Sequence, residues 1–167
     1  MDDEKNIEQG IMQKHLRDLL KDPPNLLKNF HYEDVLAFLE LGEQIRFFKG
    51  DTIIGDDEYV NSAYLIAEGK VSVWKENIQL ATLDKKEFLG ETFLFSKNNR
   101  MARVACEEDC ILLKYERYVA LNYFRKRPEK LFNIFTKNII EIQQNKISGM
   151  NSQLFALKKR ILDDKKW

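Results

Sequence analysis

Between Phe88 and Val104 the chain reads Phe-Leu-Gly-Glu-Thr-Phe-Leu-Phe-Ser-Lys-Asn-Asn-Arg-Met-Ala-Arg-Val. A strand end meets a glycine, a short helical turn and a polar loop follow, and Arg100 leads into the next strand. Amides at the start of a short helix point outward without partners and suit an anion. Arg100 adds a planar fork of donors that matches two phosphate oxygens. Glu91, directly after Gly90, can accept hydrogen bonds from hydroxyls on the same ligand. Such a pocket holds one phosphate charge beside one hydroxyl-bearing ring. A Glu and an Arg nine residues apart are by themselves ordinary solvated residues, so the surrounding elements decide the matter.

Those elements are legible from periodicity. Ile7, Ile11, Met12, Leu16, Leu19 and Leu20 recur at helical spacing over residues 6–21, and Asp22-Pro23-Pro24 ends that helix. A second helix is expected from about Tyr32 to Leu41, with Val35, Leu36, Phe38 and Leu39 as its apolar face and Gly42 following. From Gln44 to about Tyr115, short β-rich runs alternate with turn signals: Ile45–Phe48, Thr52–Ile54, Ala63–Ile66, Val71–Trp74, Ile78–Leu83, Met101–Cys106 and Cys110–Leu113. Gly50, Gly55, Gly69 and Gly90 mark turns that favour positive φ. Many short strands at close spacing predict an antiparallel jelly roll or barrel. Tyr118, Leu121, Tyr123 and Phe124 form a short amphipathic helix, and Pro128 opens a long one running from Glu129 to Lys166. Along it Ile140, Ile147, Leu154 and Ile161 repeat every seven residues, with Met150 and Leu157 at d positions and Gln143 occupying another. The expected organisation is an N-terminal helical extension (1–29), a β-roll (30–135) and a C-terminal helix (136–167) that dimerises or acts as a lid.

Composition narrows the function classes. The 167 residues carry 27 Lys plus Arg against 27 Asp plus Glu, so no global field draws the chain to nucleic acid or anionic lipid. Cys106 and Cys110 are too few for a disulfide framework, an iron–sulfur cluster or an all-Cys zinc site, and they read as buried or semi-exposed thiols. His15 and His31 are the only histidines; no metal ligation is expected, and His31 reads as a capping or surface residue. No apolar run approaches a membrane span, and the charged Met-Asp-Asp-Glu-Lys start is unlike a signal peptide, so a reduced, cytoplasmic, soluble protein is expected. Arg125-Lys126-Arg127 and Lys158-Lys159-Arg160 read as solvated faces or complements to helix C-termini.

The ordered set Lys49-Gly50-Asp51, Gly55-Asp56, Tyr64-Leu65-Ile66, Glu68-Gly69-Lys70-Val71, Phe88-Leu89-Gly90-Glu91 and Arg100-Met101-Ala102-Arg103-Val104, with Pro128 beyond it, resembles the cyclic nucleotide-binding domain family. That family is shared by bacterial catabolite activators, protein kinase A regulatory subunits and cyclic-nucleotide-gated channels. The resemblance covers roughly residues 30–150. It implies an α+β fold: a jelly-roll-like β-barrel flanked by N-terminal helices and a long C-terminal helix. It also implies roles. Arg100 would pair with the cyclic phosphate, Glu91 would take the ribose 2′-hydroxyl, and the amides around Thr92, Met101 and Ala102, after the turn at Gly90, would complete the phosphate site. Val73, Leu83 and Leu89 would line the base and sugar. A gapless count through Pro128 puts Asn145-Lys146 where the catabolite activator contacts adenine, and the Asn145 carbonyl would accept the 6-amino proton.

Three positions depart from the family pattern: Phe93 close to the expected phosphate, Arg103 as a second cation beside it, and Lys86 in place of a turn glycine. No nucleophile–base pair, metal cluster or paired acids stand out, so an enzyme is not expected. The reading is a stand-alone cyclic nucleotide sensor that needs no cofactor besides its ligand. cAMP is favoured because Met101 offers guanine's 2-amino group only a very weak acceptor. The ligand would draw the cassette and the terminal helix together, an effector protein would read the helix, and the helix would support a homodimer. Direct DNA reading is not expected, since the chain ends at Trp167 without a winged helix-turn-helix. The alternative is a degenerate, non-binding roll that serves as a protein-interaction scaffold.

Overall fold

The computed structural model describes residues 14–55, 59, 61–95 and 102–164. Residues 14–21 are helical (α1), a 3-10 turn spans Asn25–Leu27, and α2 spans Tyr32–Leu39. The strands are β1 (Glu43–Phe47), β2 (Thr52–Ile54), β3 (Ser62–Glu68), β4 (Val71–Lys75), β5 (Ile78–Leu83) and β6 (Phe88–Leu89), then, after a 3-10 turn at Glu91–Leu94, β7 (Arg103–Cys106) and β8 (Cys110–Glu116). Helices α3 (Arg117–Arg125) and α4 (Glu129–Asp164) follow.

All strand pairs among the described residues are antiparallel and form two four-stranded sheets, ordered β1-β8-β3-β6 and β2-β7-β4-β5. The expected roll is therefore present as two sheets rather than one closed barrel. Strand β3 shows how the layers stack. Successive side chains point to opposite faces. Ala63, Leu65 and Ala67 join Phe38, Leu39, Tyr123 and Phe135 in a core under the helices. Tyr64 and Ile66 point the other way and pack with Ile53, Ile54, Val71, Val104 and Leu112 between the sheets. Being covered on both faces is why Ala63-Tyr64-Leu65-Ile66-Ala67 is an unbroken apolar run rather than an alternating one.

The turns follow the local chemistry. Asp22 N donates the last bond of α1 to Asp18 O at 3.2 Å, and the two prolines then forbid continuation. The 3-10 turn at Asn25–Leu27 was not signalled by periodicity; it brings Leu26 and Leu27 into the helical core. Helix α2 stops at Leu39, two residues short of the expected end. The chain must already be turning into β1 there, where a Cβ on Gly42 would lie 2.8 Å from Leu113 Cβ. At Gly69, φ is +96° and a Cβ would lie 2.7 Å from Asp109 O, so only glycine fits.

Helix α4 has 36 residues, ~54 Å at 1.5 Å per residue. It runs unbroken through residues 135–136, where the roll and the terminal helix were divided from sequence. Its first half is anchored: Leu131, Phe135 and Ile139 are buried, Phe135 lies 4.7 Å from Phe124 by ring centroids, and Asn138 Nδ2 donates to Leu26 O at 3.0 Å and Lys28 O at 2.7 Å. From Gln144 to Asp164 every residue is exposed.

Candidate functional site

Strand β6 delivers the chain to Gly90, whose φ of +70° is a left-handed conformation that glycine adopts without strain. The 3-10 turn that follows is held by Phe93 N donating to Gly90 O and Phe95 N donating to Thr92 O, both at 2.9 Å. Glu91 sits at its start and is only 4% exposed. An ionised carboxylate so deep in the protein needs donors. They come from α4: Gln143 Nε2 and Lys146 Nζ each donate to Glu91 Oε1 at 2.5 Å. The turn and the terminal helix are thus already joined at the residue expected to take a ligand hydroxyl.

The expected wall residues come together. Leu89 is buried between the sheets, and Val73 and Leu83 are partly buried against the same cluster. Thr92 and Ala102 are half-buried. Arg100 and Met101 lie outside the described residues. Asn145 is exposed on α4, and the residues of that helix which reach Glu91 are Gln143 and Lys146 instead. Gln143 occupies a d position of the heptad pattern, and the docking of α4 on the roll turns it to the carboxylate.

The three departures also find their places. Phe93 is 1% exposed and belongs to the helical core, so its ring turns inward rather than crowding an anion. Arg103 stacks over the Trp74 ring at 5.9 Å, and Trp74 Nε1 donates to Ser72 Oγ at 2.8 Å. Lys86 keeps the positive φ of the replaced glycine, +75°, and its ammonium pairs with Asp22. Outside the turn, Cys106 and Cys110 are both buried free thiols. Burial pushes Cys106 up to about 12, and Cys110 is raised for the same reason, so neither is a ready nucleophile. No cluster of His, Cys, Asp and Glu suited to a metal occurs among the described residues, and no helix there is long and apolar enough to cross a membrane.

The two-sheet antiparallel roll thus carries a left-handed glycine, a buried glutamate on a 3-10 turn and a long helix that reaches that glutamate. Residues 44–127 match the model of the cyclic nucleotide-binding domain family, and the chain belongs to that family. Membership implies a cyclic nucleotide as ligand. Human, mouse and rat cGMP-dependent protein kinase 2 are each 31% identical over 103 residues, which cover 56% of this chain. The match spans only 14% of the length of those relatives. Among solved structures, the Thermus thermophilus catabolite activator protein superposes with a TM-score of 0.68 at 22% identity, covering 80% of this chain and 63% of that one. A cAMP-bound PfPKA-R superposes with a TM-score of 0.60 at 17% identity, covering 80% and 49%.

Proposed function

We propose that the protein is a cyclic nucleotide sensor, with no catalytic step of its own, that prefers cAMP and signals through the position of α4. The observation that carries this reading is Glu91: a carboxylate buried to 4% exposure, on the turn after Gly90, next in sequence to the apolar wall that Leu89 shares with Val73 and Leu83. Gln143 and Lys146 of α4 satisfy that carboxylate, which links the turn proposed to hold the ligand to the helix proposed to signal. Arg100 supplies the phosphate fork, with the amides of Thr92, Met101 and Ala102 beside it. The base preference rests on Met101, since guanine would have to bury its 2-amino group without a good acceptor, a loss of ~1–3 kcal/mol. Two copies associate through the exposed seam of α4, and an effector protein reads the helix.

A second reading, cGMP preference, is favoured by the likeness to the cGMP-dependent kinases. Calorimetry with cAMP and cGMP decides between them. cAMP is expected to bind more tightly, and equal or tighter cGMP binding would overturn the Met101 argument. Binding of neither by a folded protein would leave the scaffold reading in its place.

A further inference from the structure

Between Arg117 and Lys137 the chain carries six basic residues and one acid, Glu129, although its net charge is zero. That stretch is α3 and the first turns of α4. One of its cations is spent within the fold. Arg127 closes the end of α3, with Nη1 donating to Tyr123 O at 3.1 Å and Nε 3.6 Å from Asp34 Oδ1. Arg125, Lys126, Lys130 and Lys137 are exposed, and their side chains have no ion-pair or hydrogen-bond partner among the described residues. Two cavities of about 330 Å³ each open beside these cations and share Arg127. Leu121, Phe124 and Phe132 line the first together with Arg125, and Leu41, Tyr118 and Val119 line the second together with Lys126. The first is built by both helices, since the Phe132 ring of α4 lies 5.2 Å from the Phe124 ring of α3.

Resting on the reading that an effector protein follows α4, we propose that the effector binds at this α3–α4 junction through an acidic segment bearing two bulky apolar side chains. Charge selects the segment, because unpaired cations clustered on a neutral chain attract carboxylates and repel a basic partner. The cavities set the anchors. Leu121 and Arg125 stand on one flank of α3, and Val119, Asn122 and Lys126 stand on the other. A helix with its side chains is ~10–12 Å across, a span that an extended chain covers in three to four residues at ~3.3 Å each. The recognised segment therefore places its two apolar residues three or four apart, with acidic residues around them. Held in both cavities, it touches α3 and α4 together, so its affinity depends on how the two helices sit. Nucleic acid fits less well, because a run of phosphates offers neither cavity an apolar group.

The test is selection of a random dodecapeptide phage library on the full chain, followed by fluorescence polarisation of the enriched peptides. Enriched sequences are expected to carry two large apolar residues at that spacing among Asp and Glu. Arg125→Glu/Lys126→Glu, at exposed and unpaired positions where the fold is not at stake, should bind them about tenfold more weakly. Leu121→Trp and Val119→Trp, which fill one cavity each and keep the charges, should do the same; Val119 is exposed and serves if Leu121→Trp does not fold. Absence of enrichment, enriched sequences without acidic residues, or unchanged affinity in the variants overturns the proposal. Retention of single-stranded DNA or phosphatidylserine vesicles where no peptide is enriched overturns it as well. Calorimetry with cAMP and cGMP on the same protein keeps the two readings apart. Nucleotide binding without peptide binding removes this surface alone, and peptide binding without nucleotide binding removes the sensor reading while the surface stands.

Discussion

Tyr115 stacks its ring on Phe38 at 4.9 Å and buries a hydroxyl that has no hydrogen-bond partner among the described residues. A buried unpaired hydroxyl costs stability, whereas the ring alone is what the core uses. Tyr115→Phe is therefore expected to raise unfolding free energy by about 1 kcal/mol, read from a shifted denaturation midpoint at unchanged slope; a loss of stability would show that the hydroxyl is paired. On the proposed reading of the site, Arg100→Ala is expected to cost roughly 2–5 kcal/mol of nucleotide binding, because a bound phosphate would lose its counter-charge. Calorimetry on a folded variant checks this, and unchanged affinity removes Arg100 from the site. Glu91 was legible from sequence because the glycine ahead of it and the spacing to Arg100 form a local pattern. Gln143 was not. A polar residue at a d position looks like a flaw in a seam until the tertiary structure shows what it faces. Phe93 cannot be placed from sequence for the same reason: its neighbours Glu91 and Thr92 are polar, but the folded 3-10 turn carries its ring into the helical core.

At the level of elements, the roll could be read because β-rich runs and the turn residues between them are local signals, and α4 because no proline interrupts it after Pro128. The face of α4 that would be buried could not be read so directly. Leu131, Phe135, Ile139 and Ile142 form one apolar stripe, and Ile140, Ile147, Leu154 and Ile161 another; only the position of the core decides which is covered. Asn138 fixes that choice for the first half, since its amide serves the carbonyls of Leu26 and Lys28. Asn138→Ala strands both carbonyls and is expected to destabilise the fold by ~2 kcal/mol in denaturant titration; a change below about half a kcal/mol would mean that water replaces the amide. Helix α1 is tied by His15, whose Nε2 lies 3.0 Å from Glu68 Oε2. Burial lowers the His15 pKa, Lys85 and Lys14 act in the same direction, and Glu68 and Asp18 oppose them. The unfolded chain then binds this proton first as pH falls. His15 therefore contributes stability that is complete above its unfolded value near 6.5 and is lost as pH drops through that value toward the lower folded one. Thermal unfolding between pH 7.5 and 5.5 should show a slope of at most ~1.4 kcal/mol per pH unit from this group. His15→Gln should flatten it, and an equal slope in the variant would assign the dependence to other groups.

The whole molecule ends in an unmatched surface. Beyond the anchored half of α4, Ile147, Met150, Leu154, Leu157 and Ile161 are 50–66% exposed along one side of the helix, as is Ile140 before them. Stripes of that extent on a single chain mark an interaction face. Seven-residue spacing suits a second, parallel copy of the same helix, in which each of these residues meets its own symmetry mate. The flanking positions make the expectation specific. Gln144, Asn151 and Gln153 are neutral, and Lys146, Lys158 and Arg160 are basic, so in that register no acidic residue faces a basic one across the seam. Apolar burial must then drive association, with charge either indifferent or repulsive. Raising salt screens like charges and strengthens apolar burial, so the dimer is expected to hold or tighten between about 0.05 and 0.5 M salt. Sedimentation at high micromolar concentration measures it. Leu154→Glu, at the centre of the stripe and exposed in the single chain, should yield a folded monomer. A wild type that is monomeric throughout would remove the seam as an interface, and a dimer that dissociates with salt would require another register, in which ion pairs rather than apolar contacts hold the copies together.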